Sequence, residues 1–211
     1  MSPVSVRPLP PASLARKMIQ GAAGDIETDI NDPGSSRRGI ALIAHPNPVQ
    51  GGTKDNKVVT TLAKAFFALD HVAARPNFRG VGASGGTFDQ GHGEAMDLVA
   101  VAAYLRRHYG DLPLVLAGFS FGAYVQTLAA PEIRPERMVL VGAAVNRFQT
   151  GSVPRDTLVI HGEHDDIVPL AAVLEWARPQ ELPIVVVPGG EHFFHGRLSL
   201  LSDIVVRNFH G

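Results

Sequence analysis

The sequence predicts an α/β protein built on a mainly parallel sheet with helices on both faces. Three observations carry that expectation. Short runs of branched apolar residues recur along the chain, segments with apolar positions three and four apart lie between them, and no repeat or low-complexity linker interrupts the alternation. Parallel strands need crossovers, and the intervening helices supply them. At 211 residues the chain suits one domain, 1–211, able to bury a core without disulfides or metals as staples.

The elements follow in order. Residues 1–16 are proline-rich and read as a peripheral N-terminal extension. "KMIQGAAGDIETDI" then reads as two short strands joined by a Gly-Asp turn, an antiparallel hairpin at a sheet edge. Six further runs read as strands buried on both faces: "GIALIAH" (39–45), "HVAARPNF" (71–78), "LPLVLAGF" (112–119), "RMVLVGAA" (137–144), "TLVIHG" (157–162) and "PIVVVPGG" (183–190). With the hairpin the sheet has eight strands. Helical periodicity marks "KVVTTLAKAFFALD", "EAMDLVAVAAYLRRHYG", "GAYVQTLAA", "LAAVLEWA" and "RLSLLSDIVVRNF".

Composition removes several function classes. The chain is 45% hydrophobic and 18% charged, as soluble globular proteins are, and 19 basic against 20 acidic residues leave a net charge of -1. Without a basic field or arm, no nucleic-acid partner is expected. Cysteine is absent, which excludes a disulfide framework and a thiol nucleophile and fits a reducing compartment. The first residues contain no apolar block of signal-peptide length and no segment is long enough to span a bilayer, so no membrane association and a cytoplasmic location are expected.

The chemistry gathers around "LVLAGFSFGAYV" (114–125), where an apolar strand run stops at Ser120 and a helical pattern begins. In an open parallel sheet, functional groups collect where strands end and helices start. A serine held on a sharp strand-to-helix turn needs glycine-sized residues two before and two after it, which Gly118 and Gly122 supply. This GxSxG pattern is a nucleophile elbow; the other reading is a chance match in a chain with 22 glycines, Ser120 merely capping a helix. An alcohol needs a base, and the elbow predicts an acid and then a histidine further along. "HGEHDDIVP" and "PGGEHFFHG" each follow a predicted strand and provide both. The residues alone leave Asp165 or Asp166 as the acid and His192 or His195 as the base.

Five ordered stretches, "HPNPVQGGTKDNKVV", "NFRGVGASGGTFDQG", "GFSFGAY", "GEHDDIVP" and "HFFHGR", make the chain resemble the small, lidless bacterial members of the α/β-hydrolase superfamily. The resemblance covers roughly residues 18–210. It implies the α/β-hydrolase fold without a cap domain, in keeping with the short connection "AAVNRFQTGSVPRD" where larger members insert one. It also places the catalytic acid at Asp165 and the base at His192, with Ser120 as nucleophile. The oxyanion would be held by backbone N–H groups of Phe121 and, in a loop where Pro46 and Pro48 have none to offer, of Asn47. His45, Phe119 and Phe193 are the candidate substrate-contacting residues, His45 reading equally as a support for its loop.

Two other signals are set aside. "RGVGASGG" contains a GxGxxG match, but no helix opens directly from it, and Arg79 with these glycines is expected to shape a loop near the site. His161, His164, His192 and His195 lack the spacing of a helical zinc site, so neither metal nor cofactor is expected. The expected partner is a small-molecule acyl substrate. The expected activity is serine hydrolysis of a carboxylic ester through an acyl-enzyme; an amidase or aminopeptidase of the same fold, or a binding protein that kept the fold without turnover, are the alternatives.

Overall fold

The computed structural model describes residues 14–209. Eight strands form one sheet, β1 (Leu14–Gly21), β2 (Gly24–Asn31), β3 (Gly39–Ala44), β4 (His71–Pro76), β5 (Leu114–Phe119), β6 (Arg137–Val141), β7 (Leu158–Gly162) and β8 (Ile184–Val187), in the order β1-β2-β4-β3-β5-β6-β7-β8. β1 and β2 pair antiparallel, β2 runs antiparallel to β4, and every later pairing is parallel. Five helices accompany the sheet: α1 (Lys57–Ala68), α2 (His92–Tyr109), α3 (Phe121–Ile133), α4 (Leu170–Ala177) and α5 (Leu198–Phe209).

Period-two alternation splits each central strand between two cores. Ile40, Leu42, Leu114, Leu116, Met138 and Leu140 face α2 and α3. Ala41, Ile43, Val115, Ala117, Val139 and Val141 face α1 and α5. Because both faces are covered, these strands are apolar throughout, which is why they read as unbroken apolar runs. After β4 the chain crosses to the other side of β3, and this reversal opens a crevice between the C-terminal ends of β3 and β5. Within α3, the buried Gln126 amide donates to the Leu42 and Ala117 carbonyls at 2.9 and 2.8 Å, tying the helix to both strands.

The hairpin differs from its expected form in two ways. Its tight turn is Ala22-Ala23, with Gly21 opposite Gly24, and the positive φ of 132° falls on Gly24 rather than inside the turn. Of the expected N-terminal extension, residues 1–13 lie outside the described residues, while 14–16 belong to β1, where Arg16 pairs with Asp29 across the ladder. Between β6 and β7 the chain crosses in irregular structure, and no cap is inserted. β6 stops at Val141 because Gly142 turns with φ 53°, shortening the expected 137–144 run. No helix among the described residues is long and apolar enough to cross a membrane.

Candidate active site

Ser120 follows directly on β5 and precedes α3, with φ 55° and ψ -118°. A non-glycine residue there carries backbone strain of about 1–3 kcal/mol. The neighbours enforce it. A Cβ on Gly118 would lie 2.5 Å from the Gly122 carbonyl oxygen, and one on Gly122 would run into the Ala44 carbonyl of β3 and lie 2.6 Å from that of His45. The two glycines therefore let the elbow close on itself and on the neighbouring strand. The Ser120 N–H is anchored to the Val141 carbonyl at 2.9 Å.

His192 lies in the loop after β8 and Asp165 in the loop after β7, and the fold brings both to Ser120. His192 Nδ1 is 2.7 Å from Asp165 Oδ2, and His192 Nε2 is 3.0 Å from Ser120 Oγ. Burial pushes the Asp165 carboxyl up, but the hydrogen bonds from His192 and from the Val168 N–H outweigh it and hold the carboxyl below the usual carboxylate range. An ionised carboxylate only accepts, so the imidazole proton is assigned to Nδ1 and the Nε2 lone pair faces the serine hydroxyl. Asp165 Oδ1 accepts from the Ile167 and Val168 N–H groups at 3.0 and 2.8 Å, which fixes the carboxylate. The doublet thus divides cleanly: Asp166 is exposed and makes none of these contacts. His195 is also exposed and faces Glu191 at 3.4 Å.

Sequence reasoning did not anticipate His161 as part of this group. It is fully buried, donates from Nε2 to the Val168 carbonyl at 2.8 Å and lies 3.4 Å from Asp165 Oδ2. Burial pushes its pKa down despite that bond, so the ring is neutral beside the carboxylate.

A cleft of about 220 Å³ opens over Ser120 and His192, walled by the loop between β3 and α1 (Pro46, Asn47, Gln50, Gly51, Gly52, Asn56) and by Ile167 and Phe193. Gln50, Asn56 and Ile167 were not singled out in the sequence, since polar and apolar loop residues carry no spacing that marks a pocket. The Asn47 carbonyl accepts from the Gln50 and Gly52 N–H groups at 3.1 and 2.9 Å, so the loop is a closed turn. Neither the Asn47 nor the Phe121 backbone N–H donates to a protein acceptor among the described residues.

Two of the three expected substrate contacts need correction. His45 is fully buried, and its ring does not line the cleft. The Pro46 carbonyl only accepts and the Phe78 N–H only donates, so the 2.7 Å contact at Nδ1 and the 2.9 Å contact at Nε2 fix a neutral ring protonated on Nδ1. Burial agrees, pushing the pKa down to about 4. Phe119 is also fully buried, beneath His192 with ring centroids 5.0 Å apart, because inward positions of β5 face the α1 and α5 core. Phe193 is partly exposed and lines the cleft. Phe121 turns its ring away into a cluster with Phe78, Phe88, Tyr124 and Phe148. Arg79 reaches α2, making a two-pronged ion pair with Asp97 at 2.8 and 2.9 Å. Among the described residues, no group of three or more His, Cys, Asp or Glu side chains is arranged to hold a metal ion.

This sheet order, with a strained serine at the β5–α3 junction facing a histidine and a buried aspartate, is that of an α/β-hydrolase. Comparison with known proteins agrees. XC6422 from Xanthomonas campestris, described as an α/β serine hydrolase without a lid, superposes with a TM-score of 0.87 and 35% identity over 96% of both chains. An α/β serine hydrolase homologue from Coxiella burnetii gives 0.85 and 38% identity over 92% of this chain and 97% of its own. The protein described here belongs to this family of lidless α/β serine hydrolases. The uncharacterised RP471 of Rickettsia prowazekii is 29% identical over 204 residues, covering 89% of this chain and 85% of its own. An esterase of Pyrococcus furiosus, 14% identical with a TM-score of 0.71 and covering 94% of this chain and 92% of its own, shares the fold. No family model matches the chain.

Proposed function

We propose that the protein hydrolyses small carboxylic esters through an acyl-enzyme on Ser120. The observation that carries the proposal is the unbroken path from Asp165 through His192 to Ser120 Oγ, with contacts of 2.7 and 3.0 Å, at the floor of an open cleft. Ser120 Oγ attacks the acyl carbon while its proton passes to His192 Nε2, and Asp165 stabilises the imidazolium that results. The carbonyl oxygen, now negative, sits against the Asn47 and Phe121 N–H groups, of which the second is at the positive end of α3. Collapse of the tetrahedral species breaks the bond to the alkoxy group, which leaves as the alcohol with the proton from His192. Water then repeats the sequence on the acyl-serine and releases the acid.

The orientation of the Asn47 donor is supported by its own peptide. All peptide bonds among the described residues are trans, so the Pro46 carbonyl and the Asn47 N–H point in opposite directions. The carbonyl is held by the buried His45 ring, which turns the N–H away from the interior. Among the described residues, His192 is the one ionisable side chain that lines the cleft. A neutral acyl group suits such walls, and the volume suits a short chain. The absence of an acidic side chain from that lining disfavours a substrate held by a free amino terminus.

A fluorophosphonate probe combined with nitrophenyl esters of increasing chain length tests this reading. Ser120 becomes labelled in the folded protein, Ser120→Ala is not labelled, and turnover is greatest for the acetyl to butyryl esters. A folded wild-type protein that resists the probe would show the reading to be wrong. Faster hydrolysis of anilides than of the matching esters would replace the ester by an amide.

A further inference from the structure

One buried charge has no part in the reaction as written. Lys54 is 2% exposed, and it sits in the loop that walls the cleft without itself lining it. Besides an ion pair of its ammonium with the adjacent Asp55 at 3.1 Å, three contacts tie it to other parts of the fold. Its ammonium donates to Asp29 Oδ2 at 2.8 Å, its N–H donates to Asn77 Oδ1 at 2.9 Å, and its carbonyl accepts from Arg75 Nη1 at 2.9 Å. Asp29 comes from β2, and Arg75 and Asn77 come from β4 and the residue following it. The surrounding charges balance: Lys54, Arg16 and Arg75 face Asp29, Glu27 and Asp55. Desolvation raises the Asp29 carboxyl pKa, but hydrogen bonds from Arg16 and Lys54 hold it below the usual range.

The turn Asn47–Gly52 therefore hangs between two anchors. At one end the His45 ring bridges Pro46 and Phe78; at the other Lys54 is fastened to β2 and to the end of β4. Between them the turn closes on the Asn47 carbonyl, with Gly51 at φ 80° and Gly52 packed against Pro46. The Gly52 N–H bond to the Asn47 carbonyl closes the turn against the segment that Lys54 anchors, so the position of that anchor is passed on to Asn47.

We propose that Lys54 is a positioning residue for the oxyanion site, its buried ammonium on Asp29 fixing the loop that carries the Asn47 N–H. This rests on the serine hydrolase reading above. A donor displaced by about 1 Å loses transition-state stabilisation while ground-state binding is nearly unchanged. Lys54 thus acts on kcat through Asn47, without touching substrate.

The experiment uses Lys54→Met and the double variant Lys54→Met with Asp29→Asn. The single variant leaves the cluster one negative charge in excess; the double variant restores balance, two cations against two carboxylates. Thermal unfolding, kcat and KM for a short nitrophenyl ester, and the fluorophosphonate labelling rate are measured on each. The expected result is that the double variant melts within a few degrees of wild type, yet kcat and the labelling rate stay reduced about tenfold or more with KM within about twofold. A purely structural Lys54 predicts instead that activity returns with stability in the double variant, and that outcome overturns the proposal. So does wild-type kcat in a folded Lys54→Met protein. Should wild type itself resist the probe, the hydrolase reading falls and takes this inference with it; labelled wild type with equally reactive variants sinks the inference alone.

Discussion

The elbow at Ser120 and the loop at Asn47 face each other across one cleft, yet they are held by opposite means. The elbow is fixed by repulsion: Gly118 and Gly122 lie so close to Gly122, Ala44 and His45 backbone atoms that no larger residue fits, and Ser120 takes its strained φ of 55° as a result. The loop is fixed by attraction, through the His45 ring bonds at one end and the Lys54 ion pair and hydrogen bonds at the other. The contacts of Gly122 with Ala44 and His45 reach across to β3, while its contact with Gly118 lies within one turn of chain and so leaves a local spacing. Polar anchors join residues 21 to 33 positions apart and leave none.

The sharpest way to break the contrast is at Ser120 itself. Ser120→Ala and Ser120→Gly should each lower kcat by at least about a thousandfold, since both delete the nucleophile. They should differ in stability. Glycine relieves the positive φ and alanine does not, so Ser120→Gly is expected to be the more stable of the two by about 1 kcal/mol in urea unfolding. Equal stability would mean that the elbow carries no strain.

The loop anchor has a pH signature of the next size. The folded His45 pKa is about 4 against 6.5 for an ordinary histidine. Between those values the unfolded chain binds the extra proton and the folded chain does not. Stability from this group is therefore fully present above pH 6.5 and is lost as pH falls towards 4, a change of about 3 kcal/mol. His45→Asn, whose amide keeps a donor near the Pro46 carbonyl but loses the acceptor for the Phe78 N–H, should flatten that slope. Urea midpoints from pH 7 to 4.5, taken as the difference between wild type and this variant, check it, because the half-buried His71 and the buried His161 also have depressed pKa values and add the same slope to both proteins.

Smallest is a purely steric change. Gly122→Ala forces a methyl against the Ala44 and His45 carbonyls, and overpacking of that kind costs about 2 kcal/mol. A lowered thermal midpoint with the ester activity also reduced is the expected outcome. An unchanged midpoint would show that β3 yields easily and that the elbow is not sterically set.

The same distinction explains what was legible in advance. The strands β3 to β8 are legible as unbroken apolar runs and the five helices as apolar positions three and four apart. Ser120 was visible through two glycines, whereas Asp165 and His192 had rivals one and three residues away. Those rivals are separated by burial: the Asp165 and His192 side chains turn inward to each other, while Asp166 and His195 are exposed. Phe119 fails as a substrate contact, and His45 takes the second of its two readings, support for its loop, for one reason. Sequence adjacency to the site says nothing about which way a ring points, and both rings point into the interior. Nothing in the sequence marks Lys54, because a lysine in a polar loop ordinarily faces water.

What the sequence by itself determined is the order of strands and helices and the presence of a strained serine at a strand-to-helix junction, since periodicity and glycine spacing are written within a few neighbouring residues. What the spacing of residues leaves open, and tertiary contacts decide, is which acid and which histidine meet that serine, a choice the family resemblance favours, and which buried charges brace the facing loop. Those pairings join residues 25 to 72 positions apart, and they depend on packing and desolvation that exist only once the sheet has assembled.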